Sequence, residues 1–142
     1  MNPEQIFSLS GAMAAIGWLT LILAPGRRWA AILAGLAIPV ALACIYVVLL
    51  ALYWKGSAGG FGSLHDVGVL FSQPWPLVAG WIHYCAFDLV VGAWEARDAR
   101  VSGVPHLLLV PCLLVTFIFG PAGLLLYLIV RASKSPGRIT AL

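Results

Sequence analysis

Asp88 lies in the run Trp81-Ile82-His83-Tyr84-Cys85-Ala86-Phe87-Asp88-Leu89, near the middle of an apolar stretch long enough to cross a bilayer. A carboxyl at that depth costs about 2.5 to 3.5 kcal/mol on insertion scales, so it faces a cavity or a partner and has a task there. At about 100° per residue, Tyr84, Asp88 and Glu95 share one helix face, with Gly92 beside them and Trp81 one turn earlier. A phenol, two carboxyls and a gap on one stripe suit proton transfer, with Asp88 the acid if it keeps its proton. His83 stands roughly 140° around the helix from Asp88, so a shared ligand or a second helix must link the two.

The remaining ionisable groups carry less chemistry. Arg97 with Asp98 and Glu95 with Arg100 read as helix-end ion pairs near headgroups. An antiparallel return after Arg100 brings His106 to the same membrane side as Glu95, Arg97 and Asp98, a charged rim over the deeper Asp88. His65 and His106 fall at interfaces, and no H-x-x-x-H or E-x-x-H spacing occurs. Two histidines and a carboxylate make a non-haem iron site, but nothing in these spacings requires one. Cys44, Cys85 and Cys112 sit in apolar segments without C-x-x-C spacing and read as small buried hydrophobes.

The elements that position these groups follow from composition. Charged residues are 9% of the chain against roughly 25% in soluble domains, and mean hydropathy is +1.01, so the chain is an integral membrane protein. A spanning helix takes about 20 apolar residues. The expectation is an all-α, single-domain membrane protein of four transmembrane helices, over about 3–24, 29–54, 76–97 and 105–131. Gly11, Ala12, Ala14, Ala15 and Gly17 give the first helix a small-residue face for close packing. Pro39 should kink the second, while Pro111 and Gly120-Pro121-Ala122-Gly123 interrupt the fourth. Between helices two and three, Ser63 with Asp66 three residues on resembles a capping box and predicts a short interfacial or re-entrant helix through Phe71.

The net charge of +3 arises from basic residues at predicted helix ends, a pattern suited to lipid headgroups and without the aromatic interleaving that nucleic acid asks for. With four spans the Lys and Arg residues divide evenly between the two sides, and the basic tail tilts the reading toward both ends in the cytoplasm. Met1 to Gln5 lacks a basic leader, so the first helix is expected to stay in the membrane, and the lack of an Arg-rich transit segment fits either a protein of the bacterial inner membrane or an already trimmed chain.

The stretch Gly80 to Leu89, then Gly92-Ala93-Trp94, Arg97-Asp98, Gly103-Val104-Pro105-His106 and Phe119 to Tyr127 resembles the neoxanthin synthase-like family, the abscisic-acid-deficient-four group of plants and bacteria. Cys85 stands where that motif would have Leu. The resemblance covers most of the chain and implies carotenoid chemistry: acid/base isomerisation of an epoxycarotenoid to an allene. Asp88, His83, Tyr84 and His106 are then the catalytic candidates, and Trp81, Phe87, Gly92, Trp94 and Pro121 would line a lateral slot for the polyene. Isomerisation needs no cofactor. Oxidative cleavage of carotene to a retinal-like aldehyde would need oxygen and iron, with His83, His106, His65 and Asp88 as ligand candidates. A non-catalytic carotenoid-binding or membrane-assembly protein is the third reading. Membrane lipid and the carotenoid are the expected partners, with a homo-oligomer left open and nucleic acid excluded.

Overall fold

The computed structural model describes residues 1–24 and 26–134, and every regular element among them is helical. Helix α1 spans Pro3–Leu23, opened by a capping box in which the Asn2 side chain accepts from the Gln5 amide and the Gln5 side chain accepts from the Asn2 amide. Helix α2 runs Arg28–Gly56. Its hydrogen-bond ladder widens into a π-turn over Leu33–Ala37, just before Pro39, whose ring and missing N–H disfavour a regular ladder there. The kink expected at Pro39 is therefore preceded by a bulge.

Helix α3, Leu64–Phe71, starts at Ser63, whose hydroxyl accepts from the Asp66 amide at 3.1 Å. Gln73 ties down the preceding loop by accepting from the Ala58 amide and donating to the Ala58 carbonyl. Helix α4, Pro74–Ser102, opens on prolines that need no donor and ends at Gly103, in the left-handed conformation at φ +73°. Its 29 residues span about 43 Å, more than a hydrocarbon core, so its ends reach the headgroups. Asp88 is its central residue.

The fold is organised around α4. Gly11 and Gly17 of α1 lie against Trp81 and Leu89, and Gly92 lies against Trp18, so α1 runs parallel to α4. A Cβ at Gly17 would fall 2.5 Å from Leu89 and one at Gly92 2.5 Å from Trp18, which is why glycine occupies both contact points. Helix α2 returns antiparallel: Gly35 faces Ala93, Tyr46 faces His83, and Tyr53 stacks on Trp75 at 4.1 Å.

The expected fourth span is not a span. It divides into α5, His106–Phe119, and α6, Pro121–Lys134, of 14 residues each, joined at Gly120. Helix α5 descends along α4, with Thr116 at Glu95 and Phe117 at Tyr84. Helix α6 then climbs back, with Tyr127 on Trp94 and Asp98, and Arg131 on Asp98 and Ser102. Gly123 fits directly against the Thr116 backbone where the two helices cross. Each half is about 21 Å long, too short for the roughly 30 Å core. The architecture is three helices long and apolar enough to cross a membrane, plus a helical hairpin whose tip reaches the middle of α4.

This corrects the charge count. Arg27, Arg28, Arg97, Arg100, Arg131 and Lys134 all lie at the Ser102 end, and Lys55 alone among the described basic residues lies at the other; Arg138 is outside the described residues. The even division expected from four spans does not hold because the fold-back brings Arg131 and Lys134 to the same end as Arg97 and Arg100. The positive-inside rule then predicts that the Ser102 end lies on the side that retains positive charge and the Pro3 end of α1 on the opposite side. Cysteines placed at Arg100 and Lys134, in a Cys44→Ser background, are expected to react with an impermeant maleimide from one side, and a cysteine at Lys55 from the other. Four crossings would instead put Arg100 and Lys134 on opposite sides.

Candidate functional site

Where α5 ends and α6 begins, a chain crossing hydrocarbon must satisfy carbonyls at one helix end and amides at the other. Tyr84 meets the first need: its hydroxyl lies 2.8 Å from the Phe117 carbonyl and 3.1 Å from that of Ile118, sharing one proton between them. Asp88 lies at the second. Gly120 has φ +36°, and a Cβ there would stand 2.8 and 2.9 Å from the two Asp88 carboxyl oxygens. Glycine is thus required twice over, for the backbone and for the carboxyl beside it. The amide end of α6 favours negative charge, so the site can hold Asp88 with or without its proton.

Two turns further along α4, Glu95 is fully buried, with both oxygens at 2.9 and 3.1 Å from the Thr116 hydroxyl, which also lies 2.9 Å from the Cys112 carbonyl. The Thr116 hydroxyl is the donor to these acceptors and has one proton to share among them. The helix-end pairing expected of Glu95 with Arg100 is absent. Asp98 likewise turns from its neighbour Arg97 to Arg131, 2.8 Å away, and to the Tyr127 hydroxyl. Sequence reasoning missed Thr116, Tyr127 and Arg131; the paired acid-free ends of α5 and α6 beside an acidic helix were the available signal.

Asp88, Tyr84, Cys85 and Trp81 line one side of a cleft of about 320 Å³, closed by Gly11, Ala14 and Trp18 of α1 and by Phe117 and Ile118 of α5. Two of the residues that line it each carry a buried polar atom without a hydrogen-bond partner, Asp88 Oδ2 and Trp81 Nε1. Orphans of this kind are rare and costly in a native interior, and here an N–H donor and a carboxyl oxygen sit two turns apart on one face. Phe117 and Ile118, at 41% and 58% exposure, form the outer lip. The cleft suits an apolar ring bearing oxygen, admitted from the lipid side.

The other sequence candidates lie elsewhere. His83 is exposed, stacks on Phe87 at 4.6 Å and faces Tyr46, and it lines a separate aromatic cavity of about 300 Å³ with Tyr53, Trp54, Phe71 and Trp75. Phe87 is 62% exposed. Gly92 is filled by Trp18, Trp94 packs edge-on against Tyr127, and Pro121 is exposed at the start of α6. His106 is exposed at the far end of α5, roughly 20 Å from the hairpin tip. His65 is exposed on α3, and among the described residues no three His, Cys, Asp or Glu side chains gather. These residues do not fit an iron centre.

The family model described as ABA4-like, ABA DEFICIENT 4-like, matches residues 5–127. No curated protein and no solved structure matches the chain.

Proposed function

The chain belongs to the ABA4-like family, and on that premise we propose that it is a membrane enzyme that isomerises the end group of an epoxycarotenoid at Asp88. The observation that carries the reading is the pair of unpartnered polar atoms, Asp88 Oδ2 and Trp81 Nε1, on two residues that line one cleft. A cleft of about 320 Å³ has room for one cyclohexyl end group, with the polyene left in the lipid between α1 and α5.

The proton balance closes on Asp88 alone. The neutral carboxyl donates its proton to the epoxide oxygen as the C6–O bond breaks, leaving the oxygen on C5 as a hydroxyl. The other carboxyl oxygen takes the proton from C7, whose C–H electron pair forms the second double bond of the C6=C7=C8 allene. Asp88 ends protonated, and no electrons are gained or lost. His83, in its own cavity, is not needed as the base. Trp81 can donate to an oxygen on the ring, and Tyr84, bound to the hairpin, sets the position of the acid.

Expression in bacteria that accumulate violaxanthin should give a product of unchanged mass and altered chromatographic retention. A shortened aldehyde from a carotene-accumulating host would replace the isomerase with the cleavage reading. Unchanged pigments in carotene, zeaxanthin and violaxanthin hosts would leave binding or assembly as the role.

A further inference from the structure

Helices α2, α4 and α6 bound a second groove at the Ser102 end, about 770 Å³ in volume and sharing no lining residue with the Asp88 cleft. Its floor is apolar, from Ile32, Gly35, Leu36, Val90, Trp94 and Leu124, and Leu36, Ile32 and Val90 are 59%, 49% and 45% exposed. The π-turn of α2 supplies Gly35 and Leu36 to this floor. At the rim stand Arg28, from the first turn of α2, and Arg97, from the last turns of α4.

Neither arginine has a carboxylate partner among the described residues, because Asp98, the acid next to Arg97, is held by Arg131. Two guanidinium groups over an apolar trough, at the end that holds six of the described basic residues, present a phosphate site above an acyl-chain site. We propose that this groove binds an anionic phospholipid, its headgroup phosphate between Arg28 and Arg97 and one acyl chain along Leu36, Val90 and Leu124. Charge decides the occupant: a carotenoid would cover the trough equally well but would leave both arginines unmatched, and a second copy of this chain would bring its own cationic end to the same place.

The test is native mass spectrometry of the full chain released from membranes containing equal amounts of phosphatidylglycerol and phosphatidylcholine. Preferential retention of phosphatidylglycerol is expected, falling roughly fivefold for Arg28→Gln or Arg97→Gln and about 25-fold for both, at about 1 kcal/mol per basic residue. Arg100→Gln removes a charge from the same end of α4 without touching the groove and should change retention little. Equal retention of the two lipids, or an equal loss with Arg100→Gln, overturns the proposal. So does displacement of the lipid by millimolar inorganic phosphate, which would mark a site for the free anion, or a pigment or a dimer found in place of the lipid.

Discussion

Asp88→Asn is expected to abolish product formation, by a factor of about 10² to 10⁴, while the protein still accumulates in the membrane and still retains pigment. Asparagine keeps the shape that fits against Gly120, so the hairpin tip need not move. It has no acidic proton to give to an oxygen and no carboxylate to take one from carbon. The loss should therefore appear in turnover and spare binding. His83→Gln, read in the same pigment assay, should leave turnover within a few fold, since His83 faces Tyr46 and Phe87 in a different cavity. Full activity in Asp88→Asn would remove the acid from the mechanism. Loss of pigment together with product would make Asp88 a binding group.

What the sequence discloses about this site is what depends on residue type and local period. Asp88 at the centre of an apolar helix, Tyr84 one turn before it and the Ser63 cap are each legible, because each is a relation within a few residues of one helix. The fold-back at Gly120 is not legible in the same way. Hydropathy measures how much apolar chain there is and carries no direction, so two 14-residue helices joined by Gly-Pro read as one interrupted span. Length held the warning: apolar segments of 10 to 14 residues suit re-entrant helices better than crossings.

Once direction is wrong, partners are wrong too. Glu95 and Asp98 are assigned to nearby arginines because local pairs are the only ones a sequence displays, whereas their actual partners, Thr116 and Arg131, come from the hairpin. The period of α4 gives its faces, whereas what lies against them comes from the hairpin. His83 shows the converse. Its proximity to Asp88 in sequence suggests cooperation, and the five-residue offset instead sends it to another cavity.

Asp98→Ala is expected to destabilise the protein by about 3 to 5 kcal/mol, the cost of leaving a buried charge without its partner. Asp98 receives Arg131 Nε, the Tyr127 hydroxyl and the Ser102 hydroxyl, and the Arg131 side chain is only 7% exposed. These contacts attach the ascending half of the hairpin to α4 on the side opposite its tip, so their loss should loosen α6 and with it the Gly120 backbone that fits around Asp88. Unfolding free energies in mixed micelles would measure the loss. Asp98→Leu combined with Arg131→Met removes both buried charges and should recover much of the stability, since the desolvation penalty of the lone guanidinium disappears. A loss under about 1 kcal/mol in Asp98→Ala would equate the pair with an exposed surface bridge, and the hairpin would then be held by the close packing of Gly123 on Thr116 and the Tyr84 cap at its tip.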